Sequence, residues 1–215
     1  MSLIICAVSH TEAFVVSDRQ ATDITTQMVQ ENNATKITVL NQHICVATCG
    51  NGGIAEYIHM SLDAIKRQIR RQVTRVSLAT VQDWVGTIIQ QIVANPDYDE
   101  EKWNTIVIVV GLHHHIPNDP LYKIAATTVS DYPRWSINEP NLGEYFINVF
   151  PPPDVTREAC FEQIADYMAD KKIDHKNTLR SVFHTMRFVS DRSIFVNNHC
   201  HIWQSGSNAL SEVDV

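Results

Sequence analysis

The run "SLIICAVSH" near the start of the chain is apolar on both faces of any strand it forms. Leu3, Ile5 and Ala7 point one way, and Ile4, Cys6 and Val8 the other. Such a strand has to be covered on both sides, which puts it in an inner layer of a layered fold rather than on a sheet with one wet face. "AFVVSD" follows across the polar "HTE", so the chain is expected to open with a hairpin. Beyond the polar segment 23–35, "KITVLN" and "ICVATCG" repeat the pattern around "QH" and predict a second hairpin. Four strands are thus expected before any helix.

From Gly52 the apolar period changes from two to three or four. Ile54, Tyr57, Ile58, Leu62, Ile65 and Ile69 form one stripe, with Lys66, Arg67, Arg70 and Arg71 mostly opposite. Ser77 is placed to cap a second helix, whose stripe of Leu78, Val81, Val85, Ile88 and Ile92 ends at "NPDYDEE". Strands return in "NTIVIVVGLH", "LYKIAATTVS" and "GEYFINVF". "PPPD" stops the last of these, and Asp154 is the expected cap of a third helix bearing Ala159, Phe161, Ile164 and Met168. A fourth helix carries Leu179, Val182, Phe183 and Met186, and "SIFVNN" with "CHIWQS" reads as a closing hairpin. Hairpins dominate and no strand–helix–strand alternation is present. The expected class is therefore α+β, with residues 1–215 forming one domain in which two antiparallel sheets are flanked by helix pairs, a four-layer αββα sandwich.

Charge and composition narrow the function classes. The net charge of -7 comes from scattered acidic residues, and the only basic tract, "KRQIRR" at 66–71, reads as the wet face of a helix, so nucleic acid is not an expected partner. Five cysteines without a CxxC pair, three of them in apolar runs, fit a reducing cytosol. No run approaches the roughly 20 apolar residues of a membrane span, and no leader is evident at the start. Neither a cofactor motif nor a convincing metal set is present. "HHH" at 113–115 reads as a polar loop, and His199 and His201 of "HCH" share a strand face without a third ligand.

Several residues together resemble the proteasome β-type branch of the N-terminal nucleophile hydrolases. In that family a Thr, Ser or Cys at the exposed terminus begins strand one. An Asp followed by an Arg-Ala-Thr-like string ends strand two, a Lys begins strand three, and a Gly follows strand four. Ser2 stands at the first position, Asp18 of "SDRQAT" at the second, Lys36 of "ATKI" at the third and Gly50 of "ATCG" at the fourth. "IVVGLHHHIPNDPLYKI" is similar to the family's glycine-then-"LY" hairpin. The family's late Asp and Ser pair corresponds, at slightly different spacing, to Asp191 and Ser193 of "VSDRSI", and "NVFPPPD" stands where the family has a Gly-Ser-Gly-like stretch.

The resemblance implies the N-terminal-nucleophile hydrolase fold and an amide-bond hydrolase in which Ser2, exposed by removal of Met1, is the nucleophile. A serine hydroxyl needs an adjacent base, and a free terminal amine with a pKa near 8 is one the residue carries itself. The Lys36 ammonium would lower that amine's pKa, Asp18 would fix Lys36 by an ion pair, and the Gly50 N–H would donate to the developing oxyanion. Peptide or unfolded protein is the implied substrate. Self-association into a ring or other homo-oligomer and an ATP-dependent unfoldase are the implied partners. The rival expectation from another class is a proteasome-like scaffold or assembly subunit without catalysis. Cys6 and Cys49 are expected near the site as small hydrophobes. "DYPRW" at 131–135 fits a subunit contact, a substrate rim or a loop with its own packing.

Overall fold

A computed structural model describes residues 2–23, 26–69, 76–113 and 121–215. The chain order is β1 (Ile4–Val8), β2 (Ala13–Asp18), β3 (Ala21–Thr22), β4 (Val29–Glu31), β5 (Ile37–Asn41), β6 (Ile44–Gly50), α1 (Gly52–Gln68) and α2 (Leu78–Val93). It continues with α3 (Glu100–Trp103), β7 (Thr105–Leu112), β8 (Tyr122–Thr128), β9 (Ser136–Asn138), β10 (Phe146–Phe150), α4 (Arg157–Met168), α5 (His175–Ser190), β11 (His199–Gln204) and β12 (Ser211–Asp214). The strands form a sheet ordered β10-β1-β2-β11-β12, a second ordered β5-β6-β7-β8-β9, and a small ladder β3-β4. All pairings are antiparallel.

This corrects the expected four-layer αββα sandwich. Among the described residues twelve strands form three antiparallel sheets rather than two, and a fifth helix, α3, stands outside the two helix pairs. Part of the departure lies between β2 and β5, where a polar stretch read as a connection closes a ladder of its own, with Ala21 paired to Glu31 and Thr22 to Val29. Among the described residues six strands, not four, therefore precede α1. The closing hairpin also differs. "SIFVNN" is not a strand, because Phe195 and Val196 are drawn from a loop into the core beside α5, and β11 pairs instead with β12. Asp154 does not cap α4. Thr156 does so, accepting from the Ala159 amide, which frees Asp154 to receive the Ser193 hydroxyl.

The alternation in β1 parts as the sequence requires. Ile4, Cys6 and Val8 enter a core shared with Val15 of β2, Ala47 of β6, Ile108 of β7 and Trp203 of β11. Leu3, Ile5 and Ala7 enter another, with Val182 and Met186 of α5. A third core lies on the opposite face of the second sheet, where Val46, Val107 and Val109 meet Ile58 and Leu62 of α1 and Val85 of α2. Ser77 caps α2 by accepting from the Thr80 amide, and Asn51 caps α1 by accepting from the Ile54 amide. "DYPRW" packs on the α2 side: Tyr132 lies directly against Gly86, where no Cβ would fit, and Trp135 borders the same core. Lys66 is half-buried, its ammonium donating to the Val39 carbonyl at 2.5 Å, while Arg67 and Gln68 beside it are exposed. Arg70, Arg71, His114 and His115, and with them most of "KRQIRR" beyond Ile69 and most of "HHH", lie outside the described residues. No helix among the described residues is long and apolar enough to cross a membrane.

A buried polar cluster borders the third core. His59 of α1 is buried, with Nδ1 2.7 Å from the Thr38 hydroxyl and Nε2 2.8 Å from the Thr48 hydroxyl. Burial pushes its pKa from 6.5 down to about 4. The unfolded chain takes up this proton near pH 6.5 whereas the folded chain refuses it until about pH 4, so stability falls as pH drops through that window. The full loss is about 3 kcal/mol, complete below pH 4. Urea denaturation of wild type and His59→Gln at pH 7 and pH 4 should show the wild type losing more by roughly that amount. Equal losses in the two proteins would contradict a neutral buried imidazole.

Candidate active site

The end of β2 is built around Asp18. Its Oδ1 accepts from the Leu3 amide at 2.8 Å, and its Oδ2 accepts from the Gln20 amide at 2.9 Å and from the Lys36 ammonium at 2.7 Å. Lys36 reaches this carboxylate from just ahead of β5 and also donates to the Gln20 carbonyl at 2.5 Å. Asp18 is fully buried and Lys36 is 6% exposed. The sequence-expected ion pair is therefore formed, and it lies in the interior.

Burial drives the electrostatics. It pushes the Asp18 carboxyl up and the Lys36 ammonium down, and in each case the charge of the partner pulls back. A lysine made easier to deprotonate, 2.7 Å from its counter-ion, is suited to exchanging a proton or steadying a developing anion. Cys49 and Cys200 feel both charges, and desolvation raises each thiol to about 12. They are inert small hydrophobes at the rim of the pair. Cys6 is buried deeper, and its thiol is also pushed up by desolvation.

Ser2 lies one residue before the Leu3 amide that Asp18 holds, and is itself 6% exposed. Met1, whose removal the sequence reading requires, lies outside the described residues. Gly50 ends β6 opposite Thr105 and directly precedes the Asn51 cap of α1. Its φ of +136° is one that side-chain-bearing residues rarely adopt, and a Cβ there would sit 2.6 Å from the Asn104 carbonyl oxygen and 2.7 Å from Thr105 Cα. Cys49, the preceding residue, feels the charges of both Lys36 and Asp18, while burial is the largest influence on its thiol.

Asp191 and Ser193 are not drawn in. Asp191 is the exposed C-cap of α5. The Ser193 hydroxyl donates to Asp154 at 2.8 Å and accepts from the Phe195 amide, so it fastens the turn after α5 to the proline segment. Gln20 is the residue that sequence reasoning passed over. Its main chain serves both Asp18 and Lys36, while its side-chain amide donates to Thr22 Oγ1 and, at 2.5 Å, to the Ile194 carbonyl. It thereby ties the pair to the turn that carries Ser193. The signal was a long polar side chain just past an apolar strand in "SDRQAT", which composition alone marks as solvent-facing. Among the described residues no group of three or more His, Cys, Asp or Glu could hold a metal ion.

Removing Lys36 alone would leave Asp18 charged, buried and unpaired. Lys36→Met should therefore cost about 3–5 kcal/mol in denaturant unfolding, and adding Asp18→Asn should recover a good part of it. Additive losses would mean that the two groups do not act as a pair. Gly50→Ala combines a disfavoured φ with backbone overlap and should cost at least about 1–3 kcal/mol by the same measurement. A neutral result would mean that β6 does not end as described. No protein-family model matches the sequence, and no curated protein does.

Proposed function

We propose that this protein is a proteasome-like N-terminal-nucleophile hydrolase that cleaves peptide or other amide bonds with Ser2 once Met1 has been removed. One observation carries the reading. A buried lysine is held by Asp18 and the Gln20 carbonyl, and the same carboxylate grips the first peptide after Ser2. A purely structural ion pair has no need to include that terminal amide.

In the proposed mechanism Ser2 Oγ attacks the substrate carbonyl carbon and its proton passes to the freed Ser2 amine. Lys36 keeps that amine neutral by charge repulsion and steadies the incipient alkoxide. The carbonyl oxygen, now negative, takes the Gly50 N–H, a contribution of about 3 kcal/mol in sites of this kind. Collapse of the tetrahedral intermediate breaks the C–N bond, the amine returns its proton to the leaving nitrogen, and an ester on Ser2 remains. Water, deprotonated by the same amine, hydrolyses it. Assembly into a homo-oligomeric ring that receives unfolded chains from an ATP-dependent partner belongs to the same proposal and is supported by the sequence resemblance alone.

One observation favours a second reading, a scaffold subunit of the same kind without catalysis. Ser193, the counterpart of a family site residue, spends its hydroxyl on Asp154 rather than on the Lys36 pair.

The mass of the intact protein from its own host separates the two: a free Ser2 is expected, and retained Met1 or an acetylated terminus excludes the mechanism. With the terminus free, Ser2→Ala should lower amide hydrolysis on the order of 10³-fold while leaving the unfolding midpoint unchanged. Hydrolysis at the wild-type rate would remove Ser2 from the chemistry.

A further inference from the structure

We infer that His59 is a positioning residue for the proposed site, holding the Lys36 and Gly50 strand ends in register through Thr38 and Thr48. The inference rests on the catalytic reading of that pair. Thr38 lies two residues after Lys36, and Thr48 two before Gly50. The Thr48 amide donates to the Lys36 carbonyl at 3.1 Å, so Thr48 meets Lys36 through its backbone and His59 through its side chain. The imidazole bonds both hydroxyls, one from each strand of the hairpin.

A neutral imidazole has one donor and one acceptor nitrogen, so one threonine must accept and the other donate. The hydroxyl that donates has its rotor set by the ring, and the two bonds together tie a side chain of each strand to one rigid imidazole. The ladder is regular from Ile37 to Val39 and shifts only toward the turn, between Val39 and Asn41, so the histidine bridges the two strands at the end remote from that irregularity. A one-residue slip in the rung below the site would carry Lys36 away from Gly50 and Asp18. Ile58 and Leu62, the neighbours of His59 in the buried face of α1, show that an apolar side chain would satisfy the core. A buried, doubly bonded polar group there serves geometry more than stability.

The test uses the full chain with three readouts: kcat and KM for amide hydrolysis, and hydrogen exchange at the Thr48 amide. His59→Leu should keep the fold, lower kcat about 10- to 100-fold, leave KM within about twofold, and speed Thr48 exchange selectively against amides of β7. His59→Gln, which retains a donor and an acceptor, should restore most of kcat. Should His59→Leu fail to fold, Thr48→Val removes one of the two bonds with a side chain of the same shape and should give the same pattern. Unchanged kcat in an active protein overturns the inference, as does a Thr48 amide protected as in wild type. An inert wild type whose Thr48 amide is selectively exposed by His59→Leu sinks the catalytic reading and leaves the clamp standing.

Discussion

The carboxylate of Asp18 is the point at which the two large sheets are fastened beside the chain start. One oxygen takes the Leu3 amide at the head of β1 and the other takes the Gln20 amide and an ammonium that arrives from the head of β5. A single side chain thus fixes three backbone segments that hydrophobic packing alone would leave free to slide. Apolar burial is non-directional and sets the layers. It does not set where a strand end stops, and a carboxylate with three bonded donors does.

Holding such a group in the interior is unfavourable in itself. Burial disfavours the charged form of both Asp18 and Lys36, and their mutual attraction at 2.7 Å with two further backbone donors offsets that cost. Replacing such a pair by well-packed apolar side chains is often neutral or stabilising, so its presence is weak evidence for stability. A buried charge also does what a methyl group cannot. It shifts proton affinities around it, and the residue next along from Ser2 is one of its ligands. The raised thiols of Cys49 and Cys200 show by contrast what burial does to neighbours that no opposite charge is bonded to.

Much of this arrangement was legible in the residues. The double-faced apolar pattern of β1 announced two cores, and Leu3, Ile5 and Ala7 do part from Ile4, Cys6 and Val8. The pairing of Asp18 with Lys36 was implied by the family resemblance and not by any apolar pattern, and the two do form an ion pair; Gly50, singled out in the same way, directly precedes the cap of α1. The third sheet was not legible, because β3 and β4 have two and three residues and β4 is exposed throughout, which leaves no periodic apolar signal to read. "SIFVNN" misled for the opposite reason: its apolar residues are buried, but by a loop held through Ser193 and not by a ladder. Gln20 was missed because most of its contribution is made by its main chain, which no side-chain pattern reports.

The second sheet divides its labour between its faces. On the face toward the first sheet, Ala47 and Cys49 of β6 and Ile37 of β5 pack into an apolar core. On the other, Thr38 and Thr48 turn toward α1 and meet His59. Alternation along β6 lets consecutive residues serve the two purposes, so Cys49 lies close to the buried charges while Thr48 is bound from behind. The two polar centres, one at Asp18 and one at His59, share the Lys36 segment: the first takes its ammonium and the second, through the Thr48 amide, its carbonyl. A lysine held at both ends can neither swing away from its counter-ion nor shift along the strand.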